Sequence, residues 1–183
     1  MKKLITNLFA TVLAMFLFSN TATAQWDGND PFSMVDNTKM YTTLELASMD
    51  KNLSTFVNMV TLSGLAPSML MTDDHTLFIP TNDAFKDMSI ERYMELTDPK
   101  NQSELITFVK YHALPNKYMK REFKDDQVIT DPSPDEITVS KDVFDNVYVG
   151  GAKIVEPNIE GSNGVIHIVN ALVTPNKDYM LID

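Results

Sequence analysis

Asn163-Gly-Val-Ile-His-Ile-Val-Asn-Ala-Leu-Val-Thr-Pro175 reads as a strand with no face built for water. Its odd positions carry Val165, Val169, Ala171 and Val173, and its even positions carry Ile166, Ile168 and Leu172, so side chains leaving the pleat in either direction are apolar. Such a strand belongs inside a sheet with both faces covered. His167 and Asn170 interrupt it, and either one left buried without a partner would cost about 1–3 kcal/mol. Groups elsewhere in the chain must therefore meet them.

Upstream of this stretch, Val147-Tyr-Val149 and Ala152-Lys-Ile154 alternate around Gly150-Gly151, a two-residue hairpin signal, and Ile137-Thr-Val139 alternates before them. Pro132, Pro134 and Pro157 fall between the runs, where a missing backbone donor does least harm. Further back, Thr76-Leu-Phe-Ile-Pro80 is a short apolar strand stopped by proline. Thr81-Asn82-Asp83 then sets side-chain oxygens at the start of a helix carrying Ala84 and Phe85, with Phe85 turned to the core.

The first part of the chain is helical. Thr42-Thr-Leu-Glu45 fits a capping box, and a second helix from near Asn52 puts Leu53, Phe56, Val57 and Val60 on one face before Gly64. Ser89 caps a further helix with Ile90, Tyr93 and Met94 inward, and Asp98-Pro99 opens another carrying Leu105, Ile106 and Val109. Helices in front of strands, without repeats, predict one α+β domain over residues 41–175.

Composition narrows the function. Lys2 and Lys3 precede an apolar run from Leu8 to Phe18, and Ala22-Thr23-Ala24 supplies the small residues of a cleavage site, so residues 1–24 read as a secretory signal peptide. The run is shorter than the roughly 20 residues of a membrane span, and no membrane insertion is expected after cleavage. Residues 25–40 read as a linker, turned at Asp27-Gly28-Asn29-Asp30-Pro31, and residues 176–183 as a C-terminal tail. Removing the leader takes away two lysines and no acid, so the net charge of −10 becomes −12, which opposes nucleic acid. The absence of cysteine excludes disulfides, thiolate metal sites and a cysteine nucleophile.

Three patterns stand in one order: Thr76-Leu-Phe-Ile-Pro-Thr-Asn-Asp-Ala-Phe85, the pair Tyr111-His112 before Leu114-Pro115, and Asn163 to Pro175. Together they resemble the two homology boxes and the central tyrosine-histidine pair of the fasciclin domain, over nearly the whole chain after the leader. The resemblance implies a twisted β-wedge with a flank of short helices, serving adhesion and matrix contacts outside the cell. In animal members it links integrin binding to the tyrosine-histidine pair and to an acidic-proline-acidic-apolar motif before the second box. The corresponding residues here are Tyr111, His112, Glu156, Pro157, Asn158 and Ile159. Asn158 replaces the aspartate, Glu160 stands where methionine or leucine is usual, and Asn170 replaces a common aspartate.

Catalytic chemistry has little to work with. The chain holds three histidines, His75, His112 and His167, with no pair at metal spacing, and acids such as Asp73, Asp74, Asp125 and Asp126 sit beside polar turns. No Gly-x-Ser-x-Gly, His-Glu-x-x-His or phosphate loop occurs. His112 and His167, each in an apolar stretch, read as internal hydrogen-bonding groups, and the 12 methionines as adaptable core filler. The reading is a secreted, periplasmic or surface-associated binding module, not an enzyme, with no cofactor. Its partner would be a cell-surface or matrix protein or a glycan, and self-association is compatible with it. The alternatives are a small-ligand carrier with a pocket between helices and wedge, and a hydrolase using a histidine and a carboxylate.

Overall fold

The structure is a computed structural model that describes residues 32, 35–130 and 135–176, all within the compact unit Pro31–Asp183. The leader read over 1–24, the turn at Asp27–Pro31, Pro132, Pro134 and residues 177–183 lie outside the described residues.

Among the described residues five α-helices precede most of the sheet: α1 Thr43–Met49, α2 Ser54–Ser63, α3 Ala66–Met71, α4 Ile90–Thr97 and α5 Gln102–Tyr111. Seven strands follow or interleave: β1 His75–Pro80, β2 Ala113–Leu114, β3 Val128–Ile129, β4 Ile137–Lys141, β5 Val147–Val149, β6 Ala152–Glu160 and β7 Gly164–Val169. They form one curled sheet in the order β2-β1-β7-β6-β5-β4-β3. The α+β class is as the sequence predicts.

β7 lies inside the sheet, parallel to β1 and antiparallel to β6, and all six of its residues are buried. Its alternation divides the core. Ile166 and Ile168 pack with Leu77 and Ile79 of β1 beneath α1, α2 and α5, while Val169 joins Phe78, Val139, Val147 and Val149 on the opposite face, where the sheet curls over itself. The strand is shorter than the stretch that predicts it, however. It ends at Val169, and Asn170, expected to be a buried amide, is exposed. Asn170 donates its backbone N–H to the Lys153 carbonyl (3.1 Å) and accepts the Lys153 N–H on its side chain (3.0 Å), closing the β6–β7 ladder.

Local signals mostly act where they stand. Thr42 and Glu45 form the capping box of α1, and Gly64 ends α2 with φ +77. Gly150 and Gly151, both at positive φ, make the two-residue turn that pairs Val149 with Ala152. Phe85 is buried as predicted.

Three readings are corrected. Ile90 and Met94 on α4 are exposed, and the inward residues are Leu96 and, in part, Tyr93. Pro157 sits within β6 and not between strands. Asn82 does not cap its own 3-10 helix, Asn82–Phe85; its Oδ1 instead accepts from Thr55 N (2.9 Å), and its Nδ2 donates to Lys51 O (2.9 Å), at the start of α2. Asn82→Ala is therefore expected to cost about 1–2 kcal/mol, read as a lower urea midpoint with unchanged slope, because it removes a cap from one helix and a tie between two elements. Phe32, in the stretch read as a linker, is buried and joins the core beneath the helices.

Candidate functional site

The segment Glu156-Pro157-Asn158-Ile159 gets its shape from two irregularities in β6. Ile154 pairs with Val169, Glu156 with Ile168 and Ile159 with Ile166, so β6 carries an extra residue in each interval, and Pro157 escapes having to donate to the ladder. Asn158 takes up the turn in the left-handed region, φ +66, which asparagine tolerates better than most side chains. Two bonds pin it there: its N–H donates to His167 Nδ1 (3.1 Å), and its Oδ1 accepts from Lys120 N (2.8 Å). Pro157 and Asn158 are exposed, Glu156 is half-buried and Ile159 is buried.

Glu160, next along, is joined to Lys117 (2.6 Å) and Lys39 (3.2 Å), which hold its carboxyl below the usual carboxylate range. The bulge and the loop Lys117–Glu122 thus form one braced surface. Sequence reasoning missed this, because Lys117 and Lys120 are about forty residues away and carry no local pattern.

Tyr111 and His112 end α5 and part ways. The Tyr111 hydroxyl donates to Asp135 Oδ2 (2.7 Å) at the partly buried edge of the sheet. His112 is fully buried, between the rings of Phe56 and Phe108 at 5.0 and 4.8 Å. Its Nδ1 donates to Phe108 O (2.9 Å), and its Nε2 accepts the Val173 N–H (3.1 Å), so it ties the end of α5 to the chain leaving β7. Burial pushes its pKa down to about 4.

His167 makes the mirror arrangement. Its Nδ1 accepts from Asn158 and its Nε2 donates to Tyr118 O (2.8 Å), beside the rings of Phe78 and Phe123; burial again lowers the pKa to about 4. His75 holds Thr72 O through Nδ1 (2.9 Å) and the Thr43 hydroxyl through Nε2 (2.6 Å), and burial lowers its pKa too. Every ring nitrogen of the three histidines is therefore engaged inside the fold. A histidine acting as the base of a hydrolase needs a ring nitrogen that reaches a substrate, and each of the six is instead held by a group of the fold. Among the described residues no group of three His, Cys, Asp or Glu is placed to hold a metal ion.

One recess opens on the helix side, about 230 Å³, between α3, the end of α5 and the β1–β2 edge. Leu65, Met69, Leu77, Leu114 and Pro115 give it an apolar wall, with Lys110 at its lining. A second group missed in the sequence is the buried side chain of Asn163, which accepts from Thr43 N (2.9 Å) and donates to Met69 O (3.0 Å), binding α1 and α3 to the start of β7.

Comparison with known proteins places this geometry. The family model for the fasciclin domain matches residues 51–175. The chain belongs to the fasciclin domain family. This fasciclin chain is 33% identical to human periostin over 133 residues, which are 72% of this chain and 16% of periostin. It is 28% identical to Protein sll1483 of Synechocystis sp. over 134 residues, 73% of each. A solved pair of such domains from the insect cell adhesion molecule Fasciclin I superposes with a TM-score of 0.51 at 18% identity, covering 75% of this chain and 52% of that one, a likeness of fold. The chain thus spans a small part of periostin and about half of the insect domain pair. No helix among the described residues is long and apolar enough to cross a membrane.

Proposed function

We propose that this fasciclin protein is an exported, non-catalytic binding module that contacts cell-surface or matrix components, protein or glycan, through loops and strand edges. The observation that carries the reading is the engagement of all six histidine ring nitrogens within the fold, which counts against the hydrolase alternative built on a histidine base. Kinship with domains of an insect cell adhesion molecule supports the same reading. Of the residues the family resemblance points to, His112 and Ile159 face inward, so direct contact falls to the half-buried Tyr111 and to Glu156, Pro157 and Asn158, which the bulge presents rigidly. A surface that is already ordered loses little entropy on binding.

The test is binding to washed cell envelopes and to arrays of immobilised matrix proteins and glycans. Saturable binding without turnover is expected, and Glu156→Lys combined with Pro157→Ala is expected to weaken it about tenfold, the equivalent of about 1.4 kcal/mol, with the melting temperature retained. Turnover of a bound component by the wild-type protein, lost in a His112→Ala variant that keeps its melting temperature, would overturn the proposal. His112→Ala is instead expected to impair folding, since it leaves Phe108 O and Val173 N unpaired in the core.

A further inference from the structure

Asn163-Gly164 is the one Asn-Gly pair of the chain; every other asparagine is followed by a residue with a side chain. The pair is chemically labile. Asparagine is a thermolabile residue, and a following glycine puts no Cβ in the way when its backbone nitrogen turns onto the asparagine amide carbon. The pair also sits at a junction, because the Asn163 side chain binds α1 and α3 to the start of β7.

The fold keeps the two reacting groups apart. Asn163 is 5% exposed, its Oδ1 accepts from Thr43 N (2.9 Å) and its Nδ2 donates to Met69 O (3.0 Å). Its main-chain carbonyl accepts from His75 N (3.4 Å), and Gly164 O accepts from Gly161 N (2.9 Å), closing the turn that enters β7. That turn is seated on the approach to α1. Ser162 N donates to Tyr41 O (2.7 Å), and a Cβ on Gly161 would lie 3.0 Å from both Thr43 N and Tyr41 O. For Gly164 N to reach the side-chain carbon, the amide must leave Thr43 and Met69 and the main chain must rotate between them. Cyclisation therefore needs α1, α3 and the start of β7 to part, a local opening that also admits water.

We propose that Asn163 is a self-modification site, silent in the closed fold, that reacts when this junction opens. Gly164 N attacks Asn163 Cγ, the N–Cγ bond forms, the Cγ–Nδ2 bond breaks, and the amide nitrogen leaves as ammonia with the proton of the attacking N–H. Water then opens the succinimide ring, its hydroxyl going to one carbonyl carbon and its proton back to the nitrogen. Opening at the side-chain carbonyl leaves an aspartyl residue; opening at the main-chain carbonyl leaves an isoaspartyl linkage with one more main-chain atom. Neither product fits the site. A carboxylate cannot donate to Met69 O, and burial beside that carbonyl sets two acceptors against each other. An added main-chain atom just before Gly164 shifts β7 out of its register with His75, where each position has a fixed face. Opening at this place thereby becomes irreversible. The proposal goes beyond the binding-module reading and uses none of its contacts, so either can fail while the other stands.

Incubation in heavy-oxygen water at neutral pH, followed by peptide mapping with mass spectrometry, tests it on the folded protein and on protein held unfolded in urea. Ring opening by labelled water marks each converted asparagine. In urea, uptake at Asn163 is expected to run ahead of that at every other asparagine. In the folded protein it is expected to be at least about a thousandfold slower, since only the open population reacts. Asn163→Asp installs one product directly and is expected to lower the urea midpoint or to prevent folding. A folded-state rate within about tenfold of the rate in urea would overturn the proposal, because the junction would then not protect the pair. Uptake in urea no faster at Asn163 than at Asn82 or Asn158 would overturn it too, as would an Asn163→Asp protein with the wild-type midpoint.

Discussion

Gly164→Ala is expected to destabilise the fold severely, by about 4 kcal/mol or more. Gly164 opens β7 and pairs with His75 across the parallel β1–β7 ladder, where an added Cβ would run into the His75 carbonyl oxygen and lie 3.1 Å from the ring Cδ2. Neither neighbour has room to give. The carbonyl is backbone inside the sheet, and the His75 ring is fastened to Thr72 and Thr43. Strain of this kind costs about 4 kcal/mol or more, a large share of the roughly 5–15 kcal/mol that holds a domain together. Gly64→Ala provides the comparison. Gly64 has positive φ, unlike Gly164, but its nearest neighbour is the flexible end of Gln102 at 3.8 Å, and its loss is expected to be about 1 kcal/mol. Far-UV circular dichroism and urea unfolding separate the two. A Gly164→Ala protein that unfolds cooperatively within about 1 kcal/mol of wild type would mean that β1 and β7 do not pair in this register.

Acid is expected to unfold the domain between pH 6.5 and 4, ahead of most carboxylate protonation. In the unfolded chain an imidazole takes its proton near pH 6.5, whereas folded His112 and His167 wait until about 4. Above pH 6.5 both states are neutral at these sites and stability does not depend on them. As pH falls through the window the unfolded chain binds protons that the fold refuses, so stability drops. Below about 4 both states are protonated and the loss is complete. A difference of that size is worth about 3 kcal/mol per histidine, so the two together rival the stability of the domain. His75, also lowered by burial, acts in the same direction. Urea midpoints measured at intervals from pH 7.5 to 4 check this; a flat profile down to 4.5 would mean that the histidines are open to solvent.

The parts of the fold that were legible in the sequence were those decided within a few residues. Thr42 and Glu45 cap α1 because both lie in its first turn, and Gly150-Gly151 fixes its hairpin because the turn demands positive φ twice. The doubly apolar pattern of β7 was legible because burial on both faces leaves no polar alternation. What failed depended on distant partners. Asn82 looks like a local cap, yet its amide meets donors and acceptors on α2. Asn170 looks buried because apolar residues continue beyond it, but the strand ends one residue earlier. In α4 only eight residues are available, too few for the apolar spacing of Ile90, Tyr93 and Met94 to fix a face, and Leu96 takes the inward place. The candidate site divides in the same way. The segments Tyr111-His112 and Glu156–Ile159 could be located from family resemblance, but Tyr118 and Lys120, which hold His167 and Asn158 in place, carry no pattern of their own.

The central claim is that the histidines within the family's characteristic segments are neutral framework groups, and their tautomers test it most directly. His112 donates from Nδ1 and accepts at Nε2, while His167 accepts at Nδ1 and donates from Nε2. Long-range proton–nitrogen NMR spectra of the labelled protein are predicted to show two different, fixed tautomers, with neither ring titrating until the pH nears 4. Rings that average between tautomers and titrate near pH 6.5 would contradict it.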